Sequence, residues 1–142
     1  MTTERDVVES CVCHKVRMAA RAVTRAYDAA LRPVGLRATQ FAVLVAVATE
    51  GALSITALAQ AMGMDRSTLT RNLRPLAKDG LLAVGHEGWH RSRTVAITER
   101  GHARVREALP LWARAQARLQ RQLGEPQWTR VHQSLEALGQ MV

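Results

Sequence analysis

Cysteine is scarce in this chain, and its two copies, Cys11 and Cys13, are too few and too close in sequence to form the disulfide framework of a secreted protein. Both are expected to rest as reduced thiols. Long apolar runs are missing too. The longest, Phe41 to Ala48, is about half of what a membrane span requires. The chain opens Met-Thr-Thr-Glu-Arg-Asp, polar and charged with no apolar segment behind it, so a soluble cytoplasmic protein with no membrane partner is expected. There is no phosphate-binding glycine loop, no paired catalytic carboxylates and no His-Glu-x-x-His. Cys13 and His14 are neighbours, but adjacent helix positions aim their side chains apart, which argues against a nucleophile and its base. Neither an enzyme nor a cofactor is expected. No internal repeat or low-complexity linker divides the chain, and 142 residues at 47% hydrophobic content bury one modest core, so residues 1–142 are taken as a single domain.

What is abundant is positive charge: 20 Lys plus Arg stand against 12 Asp plus Glu, which favours polyanionic partners, nucleic acid or an anionic surface. Nearly all of it is arginine, since lysine occurs only at Lys15 and Lys78. The flat guanidinium can grip phosphate or guanine through two hydrogen bonds at once.

Apolar residues at spacings of three and four predict a first helix over residues 8–31, stopped by Pro33 and Gly35, and a second over Thr39 to Glu50 ending at Gly51. Ser54 precedes a third helix, Ile55 to Met62. Gly63 permits a tight turn, and Asp65 is placed to cap a fourth helix that starts near Arg66 and ends at Gly80. Leu69, Leu73 and Leu76 of that helix point inward, leaving Arg66, Ser67, Thr70, Arg71 and Arg74 over the remaining surface. Pro75 predicts a kink or an early loosening. Leu81 to Val84 and Thr94 to Ile97 read as short strands joined by a polar, basic loop. Thr98 caps a long helix to about Leu123 with Pro110 in its middle. Gly124 breaks it, and Pro126 to Leu138 form a last helix.

The expected fold is therefore mainly α with a small β-hairpin: a winged helix-turn-helix over residues 36–98, flanked by helices at 1–35 and 99–142. Those flanking helices carry more apolar surface than a small monomer covers, so pairing with a second copy is expected.

The chain resembles the MarR-type transcriptional regulators over nearly its whole length. The resemblance lies in Leu36-Arg37-Ala38-Thr39-Gln40-Phe41-Ala42-Val43-Leu44, Ile55-Thr56-Ala57-Leu58-Ala59, Asp65 through Arg71, Leu73 through Leu76 to Gly80-Leu81-Leu82, and Ile97-Thr98-Glu99-Arg100-Gly101. It implies a homodimer that binds palindromic double-stranded DNA, usually as a repressor, and lets go when a small molecule or oxidant reaches the dimer. A major groove about 12 Å wide accepts one helix, and the fourth helix is the one expected there. Arg66 and Arg71 are candidates for guanine edges or phosphates, Ser67, Thr68 and Thr70 for bases or phosphate oxygens, and Arg74 for the backbone. Arg91 matches the arginine that the family commonly sends into the minor groove, with Arg93 a phosphate contact beside it. The family usually has aspartate two residues before that arginine, whereas this chain has Trp89.

Cys11-Val12-Cys13-His14 leaves three readings open: inert thiols, sensing of oxidants or electrophiles, and metal or metalloid binding. The cationic neighbours Lys15 and Arg17 are the setting expected of a sensing thiol. Cys13 also matches, by its spacing to Tyr27 and Phe41, the reactive cysteine of the OhrR-like peroxide sensors in the same family. Tyr27 matches a tyrosine that contacts that cysteine across the dimer, but Arg17 and Ala38 stand where those sensors have tyrosine. On one continuous helix, two residues span about 200° of rotation, which opposes both a Cys11–Cys13 bond and convergence with His14 on a metal. An intersubunit bond fits that geometry better, and no metal site is assigned. A ligand pocket where the first, second and long helices meet is the other effector route, with Met18, Tyr27, Phe41 and Trp112 as candidates. The competing reading of the whole chain is a winged-helix scaffold that binds protein without specific DNA.

Overall fold

The helical periodicity of the sequence becomes seven helices and three short strands in the computed structural model, which describes residues 1–85 and 93–141. The first predicted helix is two. α1 (Glu4–Ser10) starts at a capping box in which the Thr3 hydroxyl accepts from the Asp6 N–H at 3.3 Å and the Thr3 N–H donates to the Asp6 carboxylate at 2.8 Å. Cys11 then turns extended (φ −64°, ψ 113°), and α2 (Val12–Leu31) begins after it. One continuous helix over residues 8–31 is thus corrected. With it goes the 200° argument, because Cys11 caps α2 from outside while Cys13 sits in its first turn.

A turn of 3-10 helix (Arg32–Val34) ends at Gly35, whose φ of 68° lies in the left-handed region. The chain then enters α3 (Ala38–Glu50), anchored by the Ala38 N–H donating to the Asp28 carboxylate at 2.7 Å. Phe41, Val43, Leu44 and Val47 of α3 are buried. After β1 (Leu53–Ser54) come α4 (Ile55–Met62) and α5 (Arg66–Lys78), then β2 (Leu82–Val84) and β3 (Thr94–Ile97). β3 lies between the other strands in an antiparallel sheet, with Leu53 opposite Val95 on one side and Leu82 opposite Ile97 on the other. α6 (Glu99–Leu123) runs through Pro110 as one helix, and α7 (Glu125–Gln140) closes the chain. Among the described residues no single helix is both long and apolar enough to cross a membrane.

One core joins Leu31 of α2, the inner face of α3, Leu58 of α4, Leu69, Leu73 and Leu76 of α5, Val95 of β3, and Val105 and Ala108 of α6. Each fully buried leucine contributes about 1.5–3 kcal/mol by leaving water, enough in sum to fix α5 against α3 and α4. α5 does not loosen at Pro75, as its sequence suggested; it continues to Lys78. The proline lies in the last turns, where it costs the one hydrogen bond to the Arg71 carbonyl, and both residues are exposed to water.

α6 is docked through Thr98. Its hydroxyl accepts from the Gly101 N–H at 3.0 Å and faces the carbonyls of Gly80 and Leu81 at 2.6 and 3.1 Å. A second tie runs from Arg104 Nη1, which donates to the Val34 carbonyl at 2.9 Å. Outside this frame, Val12, Val16 and Val23 of α2, Leu109 and Leu123 of α6, and Val131, Leu135 and Leu138 of α7 are exposed.

Candidate nucleic-acid interface

α5 begins with a concentrated set of polar contacts around Asp65. The carboxylate accepts the Thr68 N–H at 2.7 Å, the Ser67 hydroxyl at 2.8 Å and the Thr68 hydroxyl at 3.0 Å. The backbone N–H of Thr68 does most to stabilise the anion, the two hydroxyls add to it, and nearby Arg71 contributes a smaller part, so the carboxyl falls to a pKa of about 2. Because the folded pKa is depressed below 3.8, the cap stabilises fully above about pH 4 and fades as pH falls through about 2. Asp65→Ala is therefore expected to lower the melting temperature at pH 6, and the gap from the parent should close between pH 4 and pH 2. A gap independent of pH would show that the charge of the cap does not matter.

These contacts divide the candidate DNA contacts into two kinds. Ser67 and Thr68 already spend their hydroxyl protons on Asp65, and Thr70 donates to the Arg66 carbonyl at 2.8 Å. Their oxygens can still accept. Arg71 Nη2 reaches the Thr68 hydroxyl at 3.4 Å, a long contact that leaves most of its donors free. Arg66, Arg71 and Arg74 are all exposed, whereas Leu69, Leu73 and Leu76 on the other side of the same helix are buried. α5 thus carries a cationic face rigidly backed by core.

Arg93 is exposed just before β3, and its carbonyl accepts the Ile55 N–H at 3.0 Å, tying the wing strand to the start of α4. Arg91 and Trp89 lie outside the described residues.

A cavity lies where the ligand pocket was expected, with one change of lining. A cavity of about 430 Å³ opens between α2, α3 and α6, and Tyr27, Phe41 and Trp112 all line it. Met18 does not: it is an exposed residue of α2 away from the lining. Sequence reasoning missed Leu31, Ala38, Ala42, Val45, Ala46 and Leu109. A signal was present, since Ala38, Ala42 and Ala46 recur every fourth residue and leave one face of α3 without bulk. The Tyr27 hydroxyl donates to the side-chain carbonyl of Gln116 on α6, and burial pushes its pKa up. Cys13 is exposed and Cys11 half-buried, both as free thiols. Among the described residues, no three His, Cys, Asp or Glu side chains are grouped to hold a metal.

The sequence profile of the MarR family matches residues 36–86. The Mycobacterium tuberculosis transcriptional regulator MosR is 38% identical over 93% of this chain and 95% of its own, with a TM-score of 0.82. The same regulator in complex with DNA gives 38% identity, coverage of 93% and 96%, and a TM-score of 0.83. Bordetella bronchiseptica BpsR, whose DNA binding is regulated by 6-hydroxynicotinic acid, is 25% identical over 92% of this chain and 95% of its own at a TM-score of 0.83. No curated protein sequence matches the chain. A cationic helix on a packed core, a three-stranded wing sheet and likeness to MosR along nearly the full length agree: this chain belongs to the MarR family of winged-helix, DNA-binding transcriptional regulators.

Proposed function

We propose that two copies of this chain bind one palindromic operator, act as a repressor in the cytoplasm, and release the DNA when a small molecule or a thiol-reactive oxidant reaches the dimer. Residues 36–98 form the DNA-reading lobe, and residues 1–35 and 99–142 pair the copies. The observation that carries this is α5, which turns Arg66, Arg71 and Arg74 outward from a helix whose opposite side is locked in the core. Arg66 and Arg71 read base edges or phosphates, and Ser67, Thr68 and Thr70 offer acceptor oxygens. Arg74 and Arg93 hold phosphates, and Arg91 enters the minor groove. Pairing is supported by the exposed apolar side chains of α2, α6 and α7, which a second copy would cover. MosR in complex with DNA and BpsR regulated by a small molecule support the two halves of the cycle. On this reading the chain performs no catalysis.

A genome-wide DNA pull-down, with and without oxidant, tests the proposal. The recovered sites should be palindromes whose half-sites lie about 10 base pairs apart, and affinity should fall at least about 1,000-fold between 50 and 200 mM salt as counterions return to the duplex. Binding that ignores salt, as an apolar protein contact would, overturns it. For the oxidant route, hydroperoxide should weaken DNA binding by the parent and leave Cys13→Ser unresponsive; an equal response from both removes Cys13 as the sensor.

A further inference from the structure

α1 adds nothing to the core of its own copy. None of its seven residues is buried, and Val7 and Val8 are 54% and 65% exposed. A helix this short is marginal by itself in water, so its exposed face calls for a surface to lie on. Two of its three carboxylates are spent within the helix, Asp6 on the Thr3 N–H at 2.8 Å and Glu9 on Arg5 at 2.7 Å. Glu4 is left, on the same side of α1 as Val7 and Val8.

The far end of α2 offers a matching seat. Where α2 gives way to α3, Asp28, Arg32, Gly35, Leu36, Arg37 and Gln40 enclose a groove of about 460 Å³. Its one carboxylate is engaged, since Asp28 accepts the Ala38 N–H at 2.7 Å. Arg32 and Arg37 are exposed and pair with no carboxylate among the described residues. We infer that α1 of one copy seats in this groove of the second copy, with Glu4 against Arg32 and Arg37 and with Val7 and Val8 leaving water beside them. The inference rests on reading the chain as a pair of copies.

An arm cannot reach the groove of its own copy. From Val12 to Leu31 α2 spans roughly 30 Å, whereas α1 is only about 10 Å long. The second copy closes that distance when its α2 runs antiparallel. The exposed Val12, Val16 and Val23 give α2 an apolar edge for a two-fold contact, in which each copy offers the same patch. Two parallel α2 helices would set arm beside arm, and Arg17, Arg21 and Arg25 beside their own counterparts, like charge against like. Antiparallel helices bring each acidic arm to the basic corner of the other copy. α3 starts at that corner and shares the core with α5, so the arm grips the base of the other copy's DNA-reading lobe.

Charge exchange in the full-length protein tests this, with the dimer dissociation constant read by sedimentation. Glu4→Arg sets a basic arm against a basic groove, and the double variant Arg32→Glu, Arg37→Glu sets an acidic arm against an acidic groove. Each alone should dissociate at least about tenfold more readily than the parent. Mixed in equal amounts, the two should return to within about threefold of the parent, because both contacts of the mixed pair then join opposite charges. A contact within one copy cannot give that recovery. All three side chains are exposed, so the helical circular dichroism of each variant should match the parent. Unchanged dissociation in both variants, or weakening without recovery on mixing, overturns the arm and leaves the pairing of copies standing. A parent that sediments as a monomer overturns both.

Discussion

Replacing Gly101 by alanine is expected to destabilise the protein by about 3 kcal/mol, a drop of roughly 10 °C in Tm. Helix propensity alone predicts the opposite sign, since alanine is favoured over glycine inside a helix by about 1 kcal/mol. The packing decides against it. A Cβ on Gly101 would lie 2.2 Å from the Leu81 carbonyl oxygen and 2.6 Å from Ile97 Cγ1, far inside van der Waals contact. The obstructing atom cannot step aside cheaply. The Leu81 carbonyl accepts the Thr98 N–H at 3.2 Å, and the next residue, Leu82, pairs with Ile97 across β2 and β3. The start of α6 must lift instead, breaking the Thr98 cap. Gly139 in α7 is the control, because a Cβ there meets nothing within 4 Å and Gly139→Ala should leave stability level or slightly raised. Thermal melting of the two variants separates packing from propensity, and an unchanged or higher Tm for Gly101→Ala would refute the close approach. The same variant should loosen DNA binding, since the start of α6 that must lift packs against Leu81 and against Ile97 of β3.

The DNA-reading lobe was legible because each of its parts announces itself locally. Asp65 precedes the amphipathic run of α5 and does cap it, and Gly63 takes the left-handed conformation (φ 61°) that the tight turn needs. Ser54, Thr98, Gly124 and the two hairpin strands were equally local signals. What escaped was structure whose cause is not local. β1 consists only of Leu53 and Ser54, too short to show alternation, and exists because β3 is there to pair with it. The break at Cys11 carries no proline or glycine, and the apolar spacing runs across it; only the Thr3 and Asp6 capping box marks a separate short helix. Met18 was grouped with the pocket because α2 contributes to it, but Tyr27 and Leu31, near the C-terminal end of α2, are the residues that face it. Pro75 predicted a kink or an early loosening, yet α5 continues to Lys78, with Leu73 and Leu76 on either side of the proline buried. The hydroxyls of Ser67, Thr68 and Thr70 were visible as candidates, yet not that the first two already donate to the Asp65 cap and the third to the Arg66 carbonyl.

That last point sets where the largest loss of DNA affinity should fall. With the hydroxyl protons committed, the donors that α5 can offer a duplex are chiefly guanidinium groups, so the double variant Arg66→Ala, Arg71→Ala should weaken operator binding by about 100-fold or more. Each arginine that grips a base edge through two bonds accounts for about 1–3 kcal/mol, and in the proposed dimer both copies would lose it at once. Folding should survive, because both side chains are exposed, neither joins the core, and alanine keeps the helix. Arg74→Ala supplies the contrast. If it meets phosphate, its loss weakens all sequences alike and lowers the salt slope by about one, whereas loss of a base contact relaxes the choice of base at one position. Binding measured at two salt concentrations, on the recovered operator and on single-base changes of it, distinguishes the two. An unchanged melting curve together with unchanged affinity in the double variant would remove α5 from the groove. The charge of this chain would then serve some other polyanion or partner, and the wing with Arg91 and Arg93 would be the next place to look for a grip on DNA.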